Sequence, residues 1–309
     1  MNRLQKLQLP APITRFAPTP SGFLHVGNVY SFLITWLLAR KNNGQILLRI
    51  DDLDQERVRP EYVENIFRTL EWLGLDWDLG PFSVEQFEKE YSQLRRMEVY
   101  EAALQKLEEA GAVFGCDCSR KLVKKLIEEH NYEGICQHKG INLHAHNISW
   151  RLKTDGMDEV KMKHYRKSLT AEQLPYSQSH FVVRRRDGIP AYHLASVIDD
   201  AHFGVDTIVR GEDLFESSVA QLYLAEKLGL SAFSQAEFFH HPLILDGGVK
   251  LSKSQRSSAV LDEFSQDKPH LLRKLGGWLG LPPEVCGSLE EMLKQFSHRK
   301  LPFSNETFT

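Results

Sequence analysis

The sequence predicts an α/β fold whose parallel sheet is split by an insertion and followed by a short helical tail. Apolar segments of strand length alternate with helical periodicity over residues 13–73, and the alternation returns over residues 191–245. Strand, helix and strand in this order form a right-handed unit with parallel strands. We expect one domain over residues 10–265, an insertion at about 75–180, and a helical segment over 266–309.

The first predicted strand leads into a loop suited to a phosphate. Residues 13–17 are apolar, prolines and a glycine within 18–22 end the strand, and a helix follows. Such a loop brings backbone N–H groups and the positive end of a helix dipole to one point. His25 and Asn28 lie at the helix entrance and could donate to a phosphate. Alternatively, His25 simply caps the helix.

A second strand, predicted over residues 45–50, runs directly into Asp51, Asp52 and Asp54. Ligands bind beyond the carboxyl ends of parallel strands, so these carboxylates should lie beside the phosphate loop. One of them could bind a substrate ammonium group. The alternative is that Asp52 or Asp54 caps the helix predicted over residues 60–73.

The insertion contains a candidate zinc knuckle over residues 116–136. Cys116, Cys118 and Cys136 offer three thiolates at a spacing that favours a closed, structural zinc site. Three side chains qualify by spacing as the fourth ligand, and histidine is the commoner type: His130, Tyr132 and His138. Free cysteines are the alternative.

The composition indicates a cytoplasmic protein. The 309 residues carry a formal net charge of −3, with 26% charged residues, so any nucleic-acid surface must be local. Four cysteines do not form a secreted disulfide framework. The first ten residues lack the apolar centre of a signal peptide, and no apolar run could span a bilayer. No exposed apolar stripe is evident, which favours a monomer.

Two features of the second half complete the predicted site. A strand over residues 207–210 ends in Arg210, which should point into the same crevice as Asp51. Lys250 and Lys253 flank Ser252 after a pair of glycines. Lysines on such a loop can neutralise charge that develops on a phosphate, as nucleotidyl transfer requires.

The chain resembles the class I aminoacyl-tRNA synthetases. Two of its motifs are similar to the two signature motifs of that family: His25-Val-Gly-Asn28 and Lys250-Leu-Ser-Lys-Ser254. The chain also resembles the glutamyl branch of that family, in segments 15–22, 49–54, 191–195, 199–200 and 209–213. Cys-x-Cys with Tyr-x-x-x-Cys resembles the zinc site of the glutamyl-Q tRNA(Asp) synthetases, which implies Tyr132 as the fourth ligand.

The resemblance implies a class I synthetase fold, Rossmann-like, and an activity. Members of that subfamily activate L-glutamate with ATP and transfer it to queuosine in the anticodon loop of tRNA(Asp). Only about fifty residues follow the lysine loop, so we expect no anticodon-binding domain. Two alternatives stay open: a truncated glutamyl-tRNA synthetase that charges the 3′ end of tRNA(Glu), and a non-catalytic RNA- or amino-acid-binding module.

Site roles are implied residue by residue. The glutamate pocket would consist of Arg15, Ala17, Thr19, Asp51, Tyr192 and Arg210. ATP would be bound by His25, Asn28 and Lys253, with Mg²⁺, and the catalytic residues would be His25, Lys250 and Lys253. Glutamate has two carboxylates and one ammonium, which two arginines and one acid can match. Asp51 departs from the family pattern, which usually has glutamate there.

Overall fold

The computed structural model describes residues 11–154, 159–246, 249–250 and 259–296. Its strands are β1 (Ile13–Phe16), β2 (Gln45–Leu48), β3 (Val113–Cys116), β4 (Ser149–Leu152), β5 (Glu159–His164), β6 (Leu169–Gln173), β7 (Val182–Arg184), β8 (Thr207–Gly211), β9 (Glu237–His241), β10 (Leu245–Asp246) and β11 (Val249–Lys250). Its α-helices are α1 (Val26–Lys41), α2 (Pro60–Leu73), α3 (Val84–Gln86), α4 (Met97–Glu109), α5 (Arg120–Glu128), α6 (Tyr192–His202), α7 (Phe215–Leu228), α8 (Ser231–Ser234), α9 (Val260–Phe264), α10 (Lys268–Trp278) and α11 (Leu289–Phe296).

The parallel strands come from both ends of the chain. β1 pairs in parallel with β2, and β8 pairs in parallel with β9. The two pairs adjoin at β1 and β8, where the Asp206 amide donates to the Ile13 carbonyl at 3.0 Å. The predicted α/β fold with parallel strands, split by an insertion, is confirmed.

Local signals set the bounds of the first two helices. Asn42 is the C-cap of α1. A Cβ added to Gly44 would lie 2.9 Å from the Pro12 carbonyl oxygen, so glycine is needed where these two segments approach each other. α2 begins with Pro60 and ends at Gly74, whose φ of +83° favours glycine.

The loop after β2 corrects one prediction. Neither Asp52 nor Asp54 caps α2, because both lie several residues before its N-cap, Arg59, which makes no side-chain cap. Asp52 instead accepts hydrogen bonds from the Ser92 hydroxyl at 2.6 Å and the Gln93 amide at 2.8 Å.

The insertion contributes to two sheets. β3, β4 and β7 form an antiparallel sheet that carries the first cysteine. The β5–β6 hairpin instead joins the parallel strands, because β5 pairs with β9. In β5, Val160 and Met162 are buried while Lys161 is exposed, so the basic residues of this stretch lie on one face of a strand.

Two hydrophobic cores support the strands. The first surrounds α1, whose buried residues lie all around the helix and pack against α2, α10 and α11. The second packs α4, α6 and α7 together. No helix in the described part of the chain combines the length and the apolar character needed to cross a membrane.

Candidate active site

A cavity of about 730 Å³ lies at the carboxyl ends of β1, β2 and β8. The structure brings eight of the predicted substrate residues to its lining: Arg15, Ala17, Thr19, His25, Asn28, Asp51, Tyr192 and Arg210. Lys250 belongs to β11, and Lys253 lies outside the described residues. The cavity is large enough for a nucleotide and an amino acid together.

The helix entrance is organised around His25. Its Nδ1 accepts a hydrogen bond from the Gly27 amide at 3.1 Å, and its own amide donates to Asn28 Oδ1 at 3.1 Å. An accepting Nδ1 leaves the proton of the neutral ring on Nε2. No acidic residue lies in the first turn of α1 to offset its dipole. His25 therefore caps the helix, and the helix end remains suited to an anion.

Two arginines share a carboxylate at the floor of the cavity. Asp200, fully buried on α6, accepts from Arg15 Nε at 3.1 Å and from Arg49 Nη1 at 2.6 Å. Arg49 also donates to both carboxylate oxygens of Asp51, from Nε at 2.7 Å and from Nη2 at 3.0 Å. Burial raises the pKa of Asp51 above its ordinary value, although Arg49 opposes that rise. Arg49 thus holds Asp51 in place, a role that the sequence alone did not indicate.

Arg210 has a different environment. Its Nη1 donates to Gln221 Oε1 at 2.8 Å and to Ser218 Oγ at 3.3 Å. Within the described residues, its Nε and Nη2 atoms are buried without a hydrogen-bond partner. Burial lowers the pKa of Arg210 to about 10. A buried guanidinium that pairs with no carboxylate in the described part of the chain and has two unsatisfied nitrogens is suited to an incoming anion.

The neighbouring Asp199 has a structural role. It accepts two hydrogen bonds of 3.0 Å from Arg96, one from the Tyr100 hydroxyl at 2.7 Å and one from Gln93 at 2.9 Å. These contacts hold the pKa of Asp199 below its ordinary value in spite of burial. The adjacent aspartates of α6 therefore differ, since only Asp200 joins the arginines of the cavity.

A second cavity of about 870 Å³ adjoins the first. The two share Thr19, Asp51 and Tyr192, and Tyr192 is 49% exposed. The second cavity extends to Cys118 and is lined by four arginines: Arg120, Arg151, Arg185 and Arg186. Asp51, Asp54 and Asp187 line it as well, and Arg185 pairs with the last two. The predicted amino-acid pocket thus opens toward the cysteine cluster through a passage lined by charges of both signs.

The three cysteines of the predicted knuckle come together. Their sulfurs lie within 4.8 Å of one another, and the Sγ atoms of Cys118 and Cys136 are 3.4 Å apart. Tetrahedral zinc with Zn–S bonds of about 2.3 Å needs sulfurs about 3.8 Å apart, so the cluster fits. Among the His, Cys, Asp and Glu ligand atoms of the described residues, this group contains no histidine nitrogen.

Tyr132 borders the cysteine cluster. It is 3% exposed, and burial, with a smaller effect from the nearby thiols, raises its pKa to about 12. The Arg151 guanidinium lies 5.6 Å from the ring centroid of Tyr132 and partly opposes that rise. A metal ion could remove the phenol proton, as it does for thiols.

Comparisons with known proteins agree with this geometry. A family model described as tRNA synthetases class I (E and Q), catalytic domain, matches residues 13–296. The glutamyl-Q tRNA(Asp) synthetase of Pseudomonas entomophila (strain L48) is 40% identical over 271 residues, which cover 85% of this chain and 83% of that protein. The protein of the same name from Synechococcus sp. (strain CC9605) is 35% identical, over 93% of this chain and 90% of the relative.

Two further proteins are similar to this chain over about two thirds of their own length, one in sequence and one in fold. The glutamate–tRNA ligase of Coprothermobacter proteolyticus is 34% identical, over 93% of this chain but only 63% of that protein. The crystal structure of a glutamate tRNA ligase from Elizabethkingia meningosepticum, in complex with its amino acid, superposes with a TM-score of 0.70 at 21% identity, over 94% of this chain and 66% of that one. The family indicated by the motifs is confirmed: the chain belongs to the class I tRNA synthetases of the E and Q group and is accordingly a ligase.

Proposed function

We propose that this ligase activates L-glutamate with ATP and transfers it to queuosine in the anticodon loop of tRNA(Asp). The observation that supports glutamate most directly is Arg210, a buried cation that no carboxylate of the described residues pairs with. It lines the same cavity as His25 at the helix entrance. Arg15, at the same floor, supplies a second guanidinium.

Activation would proceed by attack of a carboxylate oxygen of glutamate on the α-phosphorus of ATP. The new oxygen–phosphorus bond replaces the bond to the leaving pyrophosphate. His25, the N-terminus of α1 and Lys253 would stabilise the charge on the phosphates, with Lys250 assisting and Mg²⁺ accompanying ATP. An acceptor hydroxyl would then attack the carbonyl carbon of the adenylate and release AMP.

The glutamate pocket would use the remaining predicted residues. Asp51 would accept from the substrate ammonium with the lone pairs that Arg49 leaves available. Tyr192 would cover the pocket from the start of α6, and Ala17 and Thr19 would line its wall.

The acceptor would approach through the second cavity. Arg185 pairs with Asp54 and Asp187, and Arg151 is buried, so Arg120 and Arg186 are the arginines of this cavity that suit the phosphates of an RNA loop. Tyr192 offers an exposed ring on which a base can stack. Queuosine as the acceptor is supported by the names of relatives that this chain matches along most of their length.

We also infer a structural zinc ion held by Cys116, Cys118, Cys136 and Tyr132. Zinc would hold the segment after β3 against the antiparallel sheet, where the cluster has few apolar partners. A reducing compartment such as the cytoplasm would keep the thiols available as ligands.

The acceptor can be tested with labelled glutamate, ATP and three RNAs: tRNA(Asp) with queuosine, tRNA(Asp) without it, and tRNA(Glu). We expect label only on the first, and we expect it to persist when the 3′-terminal adenosine has been removed enzymatically, because that treatment leaves the queuosine diol intact. Label on tRNA(Glu) that removal of the 3′-terminal adenosine abolishes would identify a compact charging enzyme instead.

A further inference from the structure

Arg210 differs from its neighbours in what balances its charge. Arg15 and Arg49 share Asp200, and Arg96 has Asp199. Arg210 is 4% exposed and makes its side-chain hydrogen bonds to an amide and a hydroxyl. Among the described residues, no carboxylate forms an ion pair with Arg210. A buried cation without a counter-ion is costly, so the fold must hold it by other means.

The residues that hold Arg210 are all neutral. Gln221 and Ser218 lie on one face of α7 and are fully buried. Ser218 Oγ also lies 2.8 Å from His240 Nε2, on the strand next to Arg210. Burial, with Arg210 nearby, lowers the pKa of His240 to about 3, so this imidazole is neutral at pH 7.

We propose that Gln221 and Ser218, supported by His240, are positioning residues that keep Arg210 uncompensated and so select an amino acid with a charged side-chain carboxylate over its amide. The inference rests on the proposed function and adds the origin of discrimination between glutamate and glutamine. A carboxylate would satisfy Nε and Nη2 and supply the missing charge. An amide would supply no charge.

The carboxylate of glutamate that pairs with Arg210 is the side-chain carboxylate, which does not react with ATP. The activated carboxylate loses its charge when it attacks phosphorus, so a fixed guanidinium on it would stabilise the ground state more than the transition state. The side-chain carboxylate stays charged throughout the reaction. Pairing it with Arg210 therefore favours binding without slowing the chemical step.

The test is Gln221→Glu, which keeps an oxygen acceptor beside Arg210 but adds the missing charge. In amino-acid-dependent ATP–pyrophosphate exchange, we expect the KM for glutamate to rise at least about tenfold while kcat changes little, and the preference for glutamate over glutamine to fall by a similar factor. Thermal melting should show that the variant is folded, because Arg210 gains an ion pair.

Gln221→Leu provides a second, neutral variant. It removes the hydrogen bond without adding charge, so the KM for glutamate should rise less and the preference over glutamine should persist. Gln105→Glu, on the exposed face of α4, controls for one added negative charge. An unchanged KM and preference in Gln221→Glu, or an equal loss of preference in Gln221→Leu, would overturn the inference. Absence of glutamate-dependent exchange in the unsubstituted protein would instead overturn the proposed function.

Discussion

Arg49 binds Asp51 through two hydrogen bonds, from Nε at 2.7 Å and from Nη2 at 3.0 Å, and binds Asp200 with its remaining terminal nitrogen at 2.6 Å. One buried guanidinium thus fixes two carboxylates that come from different halves of the chain. The floor of the cavity is therefore formed before any substrate arrives.

Arg49→Ala should be strongly destabilising. The substitution leaves Asp51 without its partner and the fully buried Asp200 with only Arg15. We expect a loss of about 3–5 kcal/mol in the free energy of unfolding, measured with urea. Lys89→Ala removes an exposed ion pair with Glu85 and should cost less than about 1 kcal/mol. Equal losses in the two variants would contradict the role given to Arg49.

Two buried histidines predict acid sensitivity. Burial lowers the pKa of His193 to about 4 and of His240 to about 3, against an ordinary 6.5. Below pH 6.5 the unfolded chain binds protons that the folded chain refuses, so stability present above 6.5 is lost as the pH falls toward 4. Each histidine should contribute about 1.4 kcal/mol per pH unit in that window.

Urea unfolding at pH 7.5 and 4.5 measures this loss. His193→Gln and His240→Gln should each lose less stability between the two pH values than the unsubstituted protein does. His144→Gln changes an exposed residue and should leave the loss unchanged. The same loss in all four proteins would show that the buried histidines do not cause it.

Purified protein should contain about one equivalent of zinc, and chelation should lower its melting temperature. Cys118→Ser should lose the metal, and Tyr132→Phe should bind it more weakly. Cys286→Ser changes a buried thiol outside the cluster and should retain one equivalent. If His138→Ala bound zinc more weakly and Tyr132→Phe bound it normally, the fourth ligand would be His138 and not Tyr132.

Lys253→Ala should reduce glutamate-dependent ATP–pyrophosphate exchange by about 100-fold or more, since it removes charge that stabilises the transition state. Lys161→Ala, on the exposed face of β5, should leave exchange unchanged. Full activity in Lys253→Ala would remove this lysine from the mechanism.

The opening strand–helix–strand unit could be predicted from the sequence because its signals are local. Pro60 fixes φ at the start of α2, and Gly44 and Gly74 permit a close approach and a positive φ where elements meet or end. The convergence of Asp51 and Arg210 was also predictable, because parallel strands place their carboxyl ends at one edge.

The pairing of β5 with β9 depends on contacts between residues more than seventy positions apart, which periodicity does not report. The sequence of β5 does alternate Val160 and Met162 with lysines, but such a pattern resembles a solvated run of charge. The contact of Arg49 with Asp200 was missed for the same reason, since these residues are 151 positions apart. Ser218 and Gln221 lie only eight and eleven positions after Arg210, but their contacts with it depend on how α7 packs against β8. Gln221, a fully buried polar residue within the apolar helix α7, was the one available signal.

Glutamate should react with ATP in the cavity that Arg15 and Arg210 line. The most direct measurement is ATP–pyrophosphate exchange by the unsubstituted protein with glutamate, glutamine and aspartate in separate reactions. We predict exchange with glutamate that exceeds exchange with either of the others at least about tenfold in kcat/KM. Equal exchange with glutamine, or none with glutamate, would contradict it.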